Sequence, residues 1–279
     1  MAFPVSAERR IPITDDYMFS YVMRQPGICA SVIECLLPGI HIDHVSFLDE
    51  PEVQTQKTIQ GALGTHSVRL DVYLDDGTTV FNVEMQTGDR SDLPKRLRFY
   101  GSRIDCDQLK TSADYSQLRP TYIIFICTFD PFGLDQYHYS FENCCAEVPG
   151  LKLNDGSYKL FFNTTGHKGE VSDELRSLLA YFDGNAEIVA EPDTPLIQKI
   201  DTIVDVANRD AEWRRSYMTF EMAQLDAMKL GRAEGRSEGI DLISRLFDAL
   251  MAAGRMDDFS AAMKDEAVRE RLLKEFRLA

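Results

Sequence analysis

Residues 68–86 read Val-Arg-Leu-Asp-Val-Tyr-Leu-Asp-Asp-Gly-Thr-Thr-Val-Phe-Asn-Val-Glu-Met-Gln, two alternating runs separated by a glycine-containing turn. Val68, Leu70, Val72 and Leu74 alternate with Arg69, Asp71 and Tyr73, while Phe81, Val83 and Met85 alternate with Asn82, Glu84 and Gln86. A period of two is the signature of extended chain with one apolar and one polar face, so the segment predicts two half-buried strands joined as a hairpin. A turn on Gly77-Thr78 sets Asp71 across from Glu84, and one on Asp76-Gly77 sets it across from Asn82 and diagonal to Glu84. Both registers put the acids and the Gln86 amide on one face.

Cross-strand neighbours lie roughly 5 to 8 Å apart. At about 6 Å and an effective dielectric near 20, two carboxylates repel by about 3 kcal/mol. A hard divalent cation with oxygen ligands offsets that repulsion directly, and Mg²⁺ is commonly held by one or two carboxylates plus water and substrate phosphate. Such an ion suits phosphodiester cleavage, because it activates water and neutralises the leaving oxygen. The alternative is a solvated polar face on which the two acids carry no function.

A helix is expected from about Asp92 and Pro94, since Asp is a good N-cap and Pro suits the first helical position. Arg96, Tyr100, Arg103 and Asp107 fall on one of its faces, with Leu97 and Ile104 on an apolar flank. Residues 90–110 hold six basic groups against three acidic ones, a local net of +3 in a chain whose total is -15. This reversal suits phosphate; the alternative is a solvated face with intrahelical ion pairs. The overall balance, 45 acidic against 30 basic residues, lacks the basic footprint of a protein that grips DNA tightly, so duplex binding is expected to be weak.

No run approaches the roughly 18 apolar residues of a membrane span, and residues 1–13 lack a signal peptide's apolar centre. No membrane association and a cytoplasmic location are the expectation. Six cysteines include no Cys-x-x-Cys, and with five histidines they form no zinc set.

In order, the pattern gives helices at about 15–24 and 27–36, a weak strand at 44–48, the hairpin, the Arg96 helix and an apolar strand at 121–128 fit for burial on both faces. Further strands are expected at 136–142 and 159–163, and a helix from Ser172 to Phe182 ended by Gly184. After residue 190 the character changes to helical sequence dense in both charges. This divides the chain into 1–190 and a helical region 191–279. Gly231, Gly235 and Gly239 recur every four residues between Arg-x-Glu groups, suited to close helix packing or to a charged link. Amphipathic helices at 242–251 and 259–276 are suited to dock on the core or on another copy, the latter giving a homodimer.

Residues 13–19 (Ile-Thr-Asp-Asp-Tyr-Met-Phe), the spacing from Asp71 to Glu84-Met-Gln86, and Arg96 and Tyr100 in 95–100 resemble the PD-(D/E)XK nuclease family of transposases, also called recombination-promoting nucleases. Residues 115–126, 160–165, 217–221 and 231–239 continue the resemblance in order and spacing, over roughly 11–240. It implies a restriction-endonuclease-like α/β core, a mixed sheet flanked by helices, with a helical C-terminal extension. It also implies an endonuclease acting on DNA with Mg²⁺, or with Mn²⁺ or Ca²⁺, in recombination or mobile elements. Carried over by position, Asp71 and Glu84 would bind the metal, and Gln86 stands where many members of the wider superfamily have lysine. A neutral amide there can orient water or donate a hydrogen bond, but cannot offer charge to the phosphate. Asp16 matches the first-helix acid by its spacing to Phe19, with Asp15 competing and helix capping the alternative role. Arg96, Tyr100 and Arg103 would bind substrate phosphate. A second function fits the same chain: a decayed nuclease fold acting as an interaction or regulatory module, favoured by the acidity and the missing lysine.

Overall fold

The computed structural model describes residues 9–25, 27–42, 52–59 (of 52–56 the backbone alone), 68–88, 91–109, 113–184 and 194–278. Six strands form one mixed sheet in the order β1-β2-β3-β4-β6-β5. They are β1 (Glu52–Ile59), β2 (Val68–Asp75), β3 (Val80–Gln86), β4 (Thr121–Cys127), β5 (His138–Phe141) and β6 (Ser157–Asn163). β1, β2 and β3 pair antiparallel, β3, β4 and β6 run parallel, and β5 closes the far edge antiparallel. The expected strand at 44–48 lies outside the described residues.

The hairpin register is the first of the two alternatives. Tyr73 faces Asn82 and Val72 faces Val83, leaving Gly77 and Thr78 as the two central turn residues. Gly77 adopts φ +85, a conformation that a Cβ disfavours. The Asp76 side chain accepts from the Thr78 and Thr79 amides at 2.8 and 2.6 Å, which fixes the turn. Arg119 clamps the end of β2 by a bidentate pair with Asp75.

One sequence expectation is corrected here: β3 is buried along its whole length, on its polar face as well as its apolar one. The cause is its place inside the sheet, with β2 and β4 on its edges and helices against the faces. Helix α3 (Leu93–Gln108) covers the polar face, burying Leu93, Leu97, Tyr100 and Ile104 against Ile123, Phe125 and Phe161. Tyr100 meets Phe125 edge-on at 6.2 Å. At Gly101 a Cβ would sit 3.1 Å from Ile123 Cδ1, so the helix rides close to the sheet.

Helices α1 (Asp16–Met23), α2 (Ile28–Leu36), α4 (Asp173–Asp183) and α5 (Pro195–Arg209) pack together. Phe19 meets Phe182 at 6.3 Å, and Trp213 lies between Tyr17 and Tyr21 at 5.5 and 5.6 Å. The Ser172 N-cap and left-handed Gly184 bound α4 as its sequence predicts.

By contacts the chain divides into two compact units, Met1–Arg214 and Arg215–Ala279. The change of character expected near residue 190 falls within 185–193, outside the described residues. Helix α6 runs unbroken from Ala211 to Ala252, so the glycine repeat is helical and not a link, and residues 242–251 are the end of this helix. The helix expected at 259–276 is two, α7 (Met256–Ala262) and α8 (Glu266–Glu275), because Asp265 caps a new start by accepting from the Ala267 and Val268 amides. Leu246, Leu250, Ala262, Leu272 and Leu273 form the core of the second unit. Among the described residues no helix is long and apolar enough to cross a membrane.

Candidate functional site

The β2–β3 ladder opens where Asp71 comes opposite Glu84. There the Asp71 amide donates to Glu84 Oε1 at 3.1 Å and the Met85 amide donates to Asp71 Oδ2 at 3.3 Å, so side-chain carboxylates take up backbone donors at the gap. Both acids lie on the face covered by α3. An open cleft of about 500 Å³ is lined there by Asp16, Val68, Arg69, Asp71, Arg96, Phe99 and Tyr100.

Burial sets the chemistry of the two acids. Asp71 is pushed up from 3.8 to about 6, by desolvation first and by the negative charge of Asp16 second. Glu84 is fully buried and is raised well above the usual glutamate value, again by desolvation and then by the charge on Asp71. Two interacting carboxyls with raised proton affinity would each have to lose a proton before holding a cation.

Arg96 is the counter-charge. Its Nη1 donates to Gln86 Oε1 at 2.9 Å, its Nε to the Tyr100 hydroxyl at 2.8 Å, and its Nη2 lies 3.5 Å from Glu84 Oε2. Gln86 in turn donates through Nε2 to its neighbour's carbonyl, Met85 O, at 2.9 Å. Arg96, Tyr100 and Gln86 therefore form one connected group behind the acids.

The first-helix acids separate cleanly. Asp15 is the N-cap of α1, accepting from the Tyr17 and Met18 amides at 3.0 and 3.2 Å. Asp16 is exposed at the cleft rim. Arg103 lies beyond Tyr100 on α3 and does not line the cleft. Asp107, on the same stripe, pairs with Lys57 at 2.9 Å.

Three residues escaped the sequence reading. Arg69 lines the cleft and lowers the proton affinity of Asp71, and its place two residues before Asp71 on the same strand face was the available signal. Phe99, on α3, forms part of the wall. Asn82 is buried on the same face as Glu84, and its side chain lowers that acid's proton affinity.

The donor set fits a hard divalent cation. It consists of oxygens only, and Glu84 is fully buried with Arg96 as its nearest counter-charge. The cleft leaves room for water and a phosphate. Among the described residues no three or more His, Cys, Asp or Glu side chains gather into a ligand cage. Two carboxylates completed by water and substrate are what Mg²⁺ accepts, and a zinc-type cage is a different arrangement.

No curated protein and no solved structure matches the chain. Residues 15–233 match the family described as PD-(D/E)XK nuclease family transposase, a span that holds the first helix, the whole sheet and the cleft. With its mixed six-stranded sheet, its flanking helices and its acids opposed across a central hairpin, the chain belongs to the PD-(D/E)XK nuclease family of transposases.

Proposed function

We propose that this chain is a divalent-metal-dependent endodeoxyribonuclease that hydrolyses DNA phosphodiester bonds in recombination or in mobile-element traffic. The observation that carries this reading is the opposed Asp71 and Glu84 at the gap in the β2–β3 ladder, with Asp71 lining a cleft beside Arg69 and Arg96 and Glu84 buried behind it. Asp71 and Glu84 would hold the cation. When bound, Mg²⁺, or Mn²⁺ or Ca²⁺ in its place, supplies Lewis acidity and a lowered pKa for the attacking water.

The chain's own groups do the rest. Asp71 and Glu84 would each have to be ionised to hold the cation, so its binding is expected to strengthen as pH rises. Asp16, exposed at the rim, would accept a hydrogen bond from the attacking water. The positive charges of Arg69 and Arg96 would draw the phosphate in, with Phe99 and Tyr100 walling one side of the cleft. Gln86 holds Arg96 in place through Oε1 and keeps one amide hydrogen for a water. The net charge of -15 makes the cation the principal attraction for DNA, so duplex binding is weak without it.

The same charge, with Gln86 standing where many relatives carry lysine, favours a second reading: a decayed nuclease fold that serves as an interaction or regulatory module. A plasmid-nicking assay with Mg²⁺ or Mn²⁺ separates the two. Nicking by the native chain that disappears in both Asp71→Ala and Glu84→Ala supports the enzyme. Equal nicking by all three identifies a contaminant, and a silent native chain leaves the second reading.

A further inference from the structure

Residues 222–241 of α6 are exposed without exception. Met228 is 54% exposed and a Cβ added at Gly231, Gly235 or Gly239 would meet nothing within 4 Å. At 3.6 residues per turn these four positions form one seam, and the charges sort themselves to either side of it. Lys229, Arg232 and Arg236 lie along one flank, at i, i+3 and i+7. Glu234, Glu238 and Asp241 lie along the other, at i, i+4 and i+7.

This segregation is unfavourable for a lone helix. Arg232 and Arg236 are like charges four apart, as are Glu234 and Glu238, and such pairs destabilise an isolated helix. Lys229 bonds Asp226 at 3.0 Å; none of Arg232, Glu234, Arg236 and Glu238 has an ion-pair partner among the described residues. Three glycines within an exposed helix weaken it further. A second helix laid along the seam offsets these costs, because the glycines leave room for the backbones to approach and each flank then meets opposite charge.

The wheel also sets the partner and its direction. A two-fold axis parallel to the helices brings the basic flank of one against the acidic flank of an identical copy, on both sides of the seam. An antiparallel pair would bring like flanks together. We propose that residues 228–241 of α6 form a parallel, in-register pair with the same residues of a second copy of the chain, glycine seam against glycine seam.

Sedimentation velocity on the full chain, over a wide concentration range, is expected to show a reversible dimer. Glu234→Arg with Glu238→Arg makes both flanks basic, and Arg232→Glu with Arg236→Glu makes both acidic; each variant should dimerise at least about tenfold more weakly, and their equimolar mixture should recover a heterodimer. Gly235→Leu should improve the helix while splitting the dimer, with undiminished helical circular dichroism showing that the chain still folds. Gly231→Cys and Gly239→Cys should each oxidise to a cross-linked dimer absent from the parent chain. A native chain that stays monomeric, charge variants that dimerise as the native chain does, or cross-linking only between the two different cysteine variants would overturn the proposal.

Discussion

Replacing Asp71 by Asn should make the metal-free protein more stable while abolishing cleavage. Asn keeps the shape of the side chain and an oxygen for the Met85 amide, and removes the charge that burial and Asp16 disfavour. The sign follows from the raised pKa. Below about 4 the Asp71 carboxyl is protonated in both folded and unfolded chains and costs nothing. Between about 4 and 6 only the unfolded chain releases its proton, so stability falls as pH rises, and above about 6 the full cost is present. A displacement from 3.8 to about 6 corresponds to a ceiling of about 3 kcal/mol. Solvent screening at the open cleft brings the expected gain to about 1–2 kcal/mol, or a rise in Tm of about 2–8 °C. Differential scanning fluorimetry in EDTA should show this gap at pH 8 and its closure by pH 4. Adding Mg²⁺ at pH 8 should then raise the Tm of the native chain and leave the variant unmoved, because only the native site binds the ion. A variant no more stable than the native chain at pH 8 in EDTA, or a gap of the same size at pH 4, refutes the reasoning.

The two first-helix acids should part company. Asp15→Ala should cost about 1 kcal/mol of stability through the lost N-cap with cleavage by the folded protein unchanged, whereas Asp16→Asn, which removes a charge that disfavours ionised Asp71, should raise Tm slightly at pH 8 and slow nicking about 10–100-fold. Arg96→Lys keeps the charge but cannot bond Gln86 and Tyr100 while facing Glu84, so kcat should fall about 100-fold in single-turnover cleavage assays with little change in DNA affinity. At Gly166 a Cβ would meet the Gln136 carbonyl oxygen at 2.5 Å and Tyr137 Cα at 2.8 Å, so Gly166→Ala should lose about 1–3 kcal/mol in urea unfolding.

Much of this site was legible because strand periodicity is local. Alternation around Asp71 and Glu84 needs no distant partner to be read, and the start of α3 beside Asp92 and Pro94 is likewise local, although the Asp92 side chain makes no cap bond and Pro94 is the second helical residue. The register was open, since both turns were chemically reasonable; the left-handed Gly77 and the Asp76 side-chain bonds decide it. The burial of β3's polar face was not legible, because it depends on α3 crossing over it and on β4 arriving some forty residues later. Arg69 and Asn82 were missed for the same reason: on a strand, a polar residue facing a cleft and one facing water look alike. The continuity of α6 was hidden by its three glycines, which locally argue for a break.

The sheet's topology has a consequence for the order of events as the polypeptide leaves the ribosome. The β2–β3 hairpin closes over a two-residue turn, so Asp71 and Glu84, at a sequence separation of 13, can meet before β4 has been made. The strand that seals the other edge of β3 is contributed by Thr121–Cys127, and its own outer neighbour by Ser157–Asn163. Nascent chains of intermediate length therefore display the two acids in water, titrating as ordinary carboxylates. Their altered proton affinity is conferred afterwards, by segments of the gene that encode neither of them.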